Sequence, residues 1–385
     1  MSNNLELIDM KYFFLFALFI LCSASCDTAQ TKKLVVDAPS ISVPPITDTQ
    51  KAKNVILLIG DGMGLTQISA GMYSQGNTTA LEKFKVVGLH KQHASNKLVT
   101  DSAAAATAFA CGVKTYNGAI GVDADTISKQ TLLEIAELKN LSTGLVASST
   151  IVHATPASFF AHNEYRKNYD AIASDIVDSG VDFFVGGGKN FFTNREDKRD
   201  LYTELRARDY KITDFIENDF DKVRIDPNKK FGYLSSNNDP LPVAQGRDYL
   251  IPASKAAMTY MEDQNNPNGF FLMIEGSQID WGGHANQADY VTSEFHEFDK
   301  IIDAAIAFAI EDGNTLVVVT ADHETGGLAI QPESKMDSLA YAFTSTYHTG
   351  TMIPVFAYGP YAENFGGIYD NTAIFFKIKS AFGWE

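Results

Sequence analysis

The chain of 385 residues is 45% hydrophobic and carries a formal net charge of −16. That composition excludes a disordered chain, and the acidic balance excludes a broad basic surface for nucleic acid. A small anionic substrate remains open, because bound metal ions supply positive charge locally whatever the net charge.

Residues 1–9 are acidic and polar, but from Met10 the pattern becomes that of an export signal: Lys11, the apolar run YFFLFALFILC, then Ser23-Ala24-Ser25 before Cys26. Met10 is therefore the expected start, and residues 1–26 the signal peptide. The run is too short to span a bilayer comfortably. Small residues directly before Cys26 also fit a lipidation box, although Ser23 stands where leucine is usual, so a lipid anchor at Cys26 and simple cleavage are both open. Either route exports the protein, to the periplasm or as a membrane-anchored lipoprotein. Residues 27–50, with Pro39, Pro44 and Pro45 and little periodicity, read as a linker or N-terminal arm. The folded domain is expected over 51–385. Its one cysteine, Cys111, has no intrachain partner there, and the apolar setting TAFACGV points to a buried, inert thiol.

Asn54–Gly60, NVILLIG, is a continuous apolar run of strand length, as in a parallel strand buried on both faces, and it ends at Asp61. In VTDSAAAATA the alanine run predicts a tightly packed helix with Ser102 in its first turn, near the positive end of the dipole. A helix is predicted over Thr131–Asn140 and a strand over Thr143–Ser149. Next come His153, Thr155 and Pro156, the last expected to open a helix. Arg166 lies further on; taken alone it reads as a surface residue. Val181–Val185 runs into Gly186-Gly187-Gly188, which lacks Walker spacing and reads as a strand-to-loop turn. Residues 190–250 are charged and mixed, with no evident chemistry.

A helix is predicted over Pro252–Asp263 and a buried strand over Gly269–Ile274, ending in Glu275. Asp280 and His284 follow, four apart in what reads as a glycine-rich turn around Trp281. Val291–Ile310 is predicted as a long amphipathic helix, and Thr315–Thr320 as a fourth buried strand running into Asp322-His323. His348 precedes a last predicted strand, Ile353–Tyr358. Three apolar strands thus end in carboxylates, Asp61, Glu275 and Asp322, and His284, His323 and His348 sit in glycine-flanked loops nearby. Open α/β sheets keep their sites at strand ends of this kind. The mixed N/O donor set without cysteine suits zinc, with magnesium at an all-oxygen site. His90, His93 and His296 lack that context and read as surface or satisfied structural residues.

VILLIGDGMG, VTDSAAAATAFACGVKTYNGAIGV, HATPASFFAH, IEGSQIDWGGH, VTADHETGG and HTG, in this order, resemble the alkaline phosphatases, and most of all the compact bacterial, secreted type. The resemblance covers about residues 51–385. It implies a three-layer α/β/α sandwich with a central, mostly parallel sheet, and a homodimer. It implies hydrolysis of a broad range of small phosphate monoesters through a phosphoserine intermediate, with two Zn2+ and one Mg2+. Ser102 matches the nucleophile and Arg166 the phosphate clamp. Asp280, His284 and His348 match the ligands of the first zinc. Asp61, Asp322 and His323 match those of the second, and Thr155 and Glu275, with Asp61 bridging, those of the magnesium. His153 and Trp281 stand where the well-studied enteric type has Asp and Lys, which puts in doubt the identity of the third ion and the tightness of phosphate binding. Phosphodiesterases and sulfatases of the same superfamily, or a non-catalytic phosphate- or metal-binding protein, are the alternatives. Thr155, Glu275 and Arg166 together favour a monoesterase, and the intact Ser102 and ligand set favour catalysis.

Overall fold

The structure, a computed structural model, describes residues 50–336 and 338–384. The expected export signal with Cys26, and the arm up to residue 49, lie outside the described residues.

Every residue of β1 (Asn54–Gly60) is buried, and the strand uses both its faces. Val55, Leu57 and Ile59 join one apolar core, and Ile56 and Leu58 another. The other strands in chain order are β2 (Val86–Lys91), β3 (Ser142–Thr150), β4 (Phe183–Gly187), β5 (Tyr210–Asp214), β6 (Lys230–Leu234), β7 (Phe270–Gly276) and β8 (Thr315–Thr320). The short pairs β9 (Glu324–Thr325) with β12 (His348–Thr349), and β10 (Ala329–Ile330) with β11 (Tyr341–Ala342), lie apart from the main sheet. β13 (Ile353–Tyr358) and β14 (Gly367–Asp370) rejoin it. The ten-stranded sheet has the order β14-β2-β13-β8-β1-β7-β3-β4-β6-β5. Only β13 runs antiparallel, to both β2 and β8.

Helices Ser102–Cys111, Leu132–Leu138, Tyr169–Asp178 and Ala373–Phe382 cover the Val55 face. Leu65–Ser74, Leu250–Asp263 and Ala288–Asp312 cover the other. The result is the expected three-layer α/β/α sandwich. Because β1, β3, β7 and β8 are parallel neighbours, their C-terminal ends share one edge of the sheet, and the residues leaving those strands converge there. Among the described residues no helix is long and apolar enough to cross a membrane.

Three local expectations need correction. The helix assigned to Pro156 opens earlier, at Ala154, with His153 as its N-cap; Pro156 still lies in the first turn, where its missing N–H costs nothing. Asp280 and His284 stand on a helix, Gln278–His284, and not in a turn. Ile353–Tyr358 is not the last strand, since β14 and the Ala373–Phe382 helix follow it.

Candidate active site

Ser102 is the first residue of a ten-residue helix buried throughout. Asp101 is its N-cap: Oδ1 accepts from the Ala104 N–H (3.0 Å) and from the Gly118 N–H (3.1 Å). Oδ2 of the same carboxylate accepts from Arg166 Nη1 at 3.0 Å. One side chain therefore caps the serine's helix and orients the arginine. The second nitrogen, Nη2, lies 3.2 Å from His153 Nε2. Arg166 is largely buried, so the surface reading of this residue is set aside.

Asp61, Asp322 and His323 form one group of converging ligand atoms, and Asp280, His284 and His348 a second; Asp61 enters a third with His153 and Glu275. In the Asp61 group, His323 Nε2 lies 3.0 Å from Asp322 Oδ2, 3.6 Å from Asp61 Oδ1 and 3.3 Å from Ser102 Oγ. The candidate nucleophile thus sits directly against this group. In the Asp280 group, His284 Nε2 and His348 Nε2 lie 3.4 and 3.5 Å from the two oxygens of Asp280. The His323, His348 and Tyr347 rings stack in succession, with centroids 3.5 and 4.3 Å apart.

Both oxygens of Asp61, one each of Glu275 and Asp322, and Thr155 Oγ1 are fully buried without a hydrogen-bond partner. Unpaired buried carboxylate oxygens are costly and in native proteins are matched by a cation or a donor. Burial, then the neighbouring charges of Asp322, Asp280 and Glu275, drives the Asp61 carboxyl well above its usual range. Burial pushes Glu275 up to about 8. These donors fit metal ions: N/O sets in the first two groups, and an oxygen-rich set at Asp61, Glu275 and Thr155.

Every residue expected from the sequence to serve the site is at this edge of the sheet. Trp281, on the same helix as Asp280, is half-buried with its ring edge-on to His153, centroids 6.1 Å apart. Burial, then the charge of Arg166, pushes His153 down to about 3, so it is a neutral imidazole whose Nε2 accepts from Arg166. His90 is wholly buried; it donates to the carbonyl of Ala321, next to Asp322, at 2.9 Å, which makes it structural. Cys111 is buried, and burial raises its thiol pKa, as expected of an inert group. Gly186 and Gly187 read as packing positions, since a Cβ on either would meet backbone at 3.0 Å or less.

Two residues escaped the sequence reading. Asp101 was visible only as an acid before Ser102. Thr325 is buried, and its hydroxyl donates to Asp280 Oδ1 while accepting from His323 Nδ1 at 3.2 Å, linking the two groups. The one signal for Thr325 was its place two residues after His323, which puts it on the same side of an extended segment.

Residues 52–342 match the sequence model described as alkaline phosphatase. The chain is 36% identical to "Alkaline phosphatase 4" of Bacillus subtilis strain 168, over 86% of this chain and 89% of that protein. Among solved structures it is similar to the alkaline phosphatase of the Antarctic bacterium TAB5, with 45% identity and a TM-score of 0.83 over 88% of this chain and 99% of that one. A His-to-Glu variant of the TAB5 enzyme, described with Mg bound in its M3 site, matches at 44% identity and a TM-score of 0.82, over 88% and 99%.

Proposed function

The chain belongs to the alkaline phosphatase family and hydrolyses phosphate monoesters; on that premise we propose that Ser102 is the nucleophile of a two-step reaction through a phosphoserine. The observation that carries this reading is Ser102 Oγ at 3.3 Å from His323 Nε2, in the group where both buried oxygens of Asp61 lack a hydrogen-bond partner. Asp280, His284 and His348 would hold one Zn2+, and Asp61, Asp322 and His323 a second. Asp61, Glu275 and Thr155 would hold Mg2+, with His153 beside them. When bound, the metals supply Lewis-acid stabilisation of the serine alkoxide and the departing oxygen, and lower the pKa of an attacking water.

The chain's own groups then have defined tasks. Ser102 Oγ attacks phosphorus in line; the bond from phosphorus to the ester oxygen breaks and the alcohol leaves. Water displaces Ser102 in the second step, from the side the alcohol vacated, and releases phosphate. Two inversions leave configuration at phosphorus retained. Arg166 presents two N–H groups to phosphate oxygens in a planar fork, and Asp101 holds that fork in place before substrate arrives. The helix N-terminus at Ser102 favours the negative charge that gathers there. Trp281 supplies no ammonium to hold phosphate, a charge-assisted contact that would be worth about 1.5–3 kcal/mol; a loosely held product favours turnover.

Magnesium at the third group is supported by its oxygens, both of Asp61 and one of Glu275, which are buried without a hydrogen-bond partner. Export follows from the signal pattern ending at Cys26, with a periplasmic or lipid-anchored product. The resemblance to the family supports assembly as a homodimer, which forms part of this proposal. The test of the nucleophile is Ser102→Ala: no phosphoenzyme trapped at acid pH and at least a hundredfold loss of kcat on p-nitrophenyl phosphate, with zinc content retained. Near-native turnover in that variant would refute the assignment.

A further inference from the structure

Glu324 follows the candidate ligand His323 but belongs to none of the three ligand groups, and it is buried. Four donors hold its carboxylate. Oε1 accepts from Gln67 Nε2 at 2.5 Å and from the Leu328 N–H at 3.3 Å. Oε2 accepts from the Gly327 N–H at 3.2 Å and from the hydroxyl of Thr349.

These donors come from three segments of the chain, and each lies next to candidate ligands. Gln67 lies on the helix that follows Asp61, and it also donates to the Thr325 carbonyl at 2.7 Å. In the same turn, a Cβ on Gly64 would lie 2.4 Å from Glu324 Cγ, so the turn after Asp61 rests on the glutamate stem and requires glycine there. Gly327 and Leu328 close the loop that begins at Asp322 and His323. Thr349 follows His348, and the β9–β12 pairing sets Thr349 against Glu324 and His348 against Thr325. Each oxygen faces at least one N–H, Leu328 and Gln67 on Oε1 and Gly327 on Oε2, so an amide in place of the carboxylate would set its NH2 against an N–H in either orientation.

We propose that Glu324 is a positioning residue that sets both zinc groups at once, seating His348 through Thr349 and the Asp61 turn through Gln67 and Gly64. This rests on the zinc assignment made above. Partners of this kind around metal ligands typically govern 10- to 100-fold in metal affinity.

The test compares the whole protein with Thr349→Val, Thr349→Ser and Glu324→Gln, each stripped and then titrated with zinc against a chromophoric chelator. Thr349→Val keeps shape and loses the donor. It should weaken one of the two zinc sites about 10- to 100-fold and leave the other within about twofold, with little change in melting temperature in excess EDTA. Thr349→Ser restores the donor and should bind as the native protein does. Glu324→Gln should weaken both sites; if it fails to fold, the Thr349 pair decides. Native-like binding of both zincs by Thr349→Val, or equal damage in Thr349→Ser, overturns the proposal. So does a loss of stability in Thr349→Val that is the same with and without zinc. Native protein that binds no zinc would overturn the zinc assignment and this inference together, whereas equal binding by native and variant proteins overturns the inference alone.

Discussion

Nε2 of His284 and Nε2 of His348 stand 3.1 Å apart with their lone pairs facing, because each ring gives its Nδ1–H to a backbone carbonyl, Thr346 at 2.7 Å and Thr100 at 2.8 Å. Burial, then the neighbouring His323, pushes His348 down to about 4, so at neutral pH the ring keeps only its Nδ1 proton and its Nε2 brings none to the contact. A cation relieves the contact. Removing metal with EDTA should therefore abolish activity and lower Tm by on the order of 10 °C, since metal binding adds to folding free energy. Calorimetry with and without chelator, and restoration by zinc, check this. A melting temperature indifferent to EDTA would refute metal at these groups.

Asp101 serves two elements, so its replacements should separate them. Asp101→Ser keeps an oxygen to cap the Ser102 helix and releases Arg166 Nη1. The fork then has more freedom to lose when phosphate binds. The inhibition constant for phosphate should rise about tenfold, the worth of one charge-assisted hydrogen bond, while Tm changes little. Phosphate inhibition measured on both proteins decides; an unchanged constant would mean that Asp101 does not orient the arginine.

Strand ends were legible in the sequence because central parallel strands are buried on both faces and so read as unbroken apolar runs; Asp61, Glu275 and Asp322 could be located from that alone. β14 was not: it is an edge strand of mixed pattern, with Ile368 exposed. The Gln278–His284 helix was hidden by Gly282 and Gly283, which suggest a turn. Here they are glycines for close approach: a Cβ on Gly282 would lie 2.7 Å from the Val291 nitrogen, and one on Gly283 2.9 Å from Thr325. Asp101 and Glu324 carry no local mark of their tasks, because their partners Arg166 and Gln67 come from distant parts of the chain.

Away from the site, Glu137 ties alkaline stability to one carboxylate. Burial pushes it up to about 7; the nearby Asp182 adds to this, while the Thr143 hydroxyl and Lys230 oppose it. A folded pKa raised above the usual value near 4.5 means that the fold favours the neutral acid. Its stabilising contribution is complete below about pH 4.5 and is lost as pH rises through about 7. Glu137→Gln does not titrate, so its Tm relative to the native protein should be higher by a few degrees at pH 9 than at pH 4.5. Melting curves at the two pH values test this; a constant difference would refute it.

His153 places a nitrogen donor beside an otherwise oxygen-rich group, Asp61, Glu275 and Thr155. Magnesium takes oxygen ligands in near-octahedral geometry and binds imidazole poorly, so this corner limits its affinity. His153→Glu supplies an anionic oxygen at that corner. It also replaces a neutral acceptor of Arg166 Nη2 with a charged one, which competes with phosphate for the arginine whenever magnesium is absent. Two changes should follow together. Magnesium affinity, read by calorimetric titration of zinc-loaded protein, should rise at least tenfold, about 1.4 kcal/mol for one added charged ligand. Phosphate inhibition should become dependent on magnesium, weak without the ion and recovering as it binds and takes up the new carboxylate. If magnesium affinity is unchanged, the third group is not a magnesium site; if phosphate inhibition stays indifferent to magnesium, the contact between His153 and Arg166 has no part in holding the product.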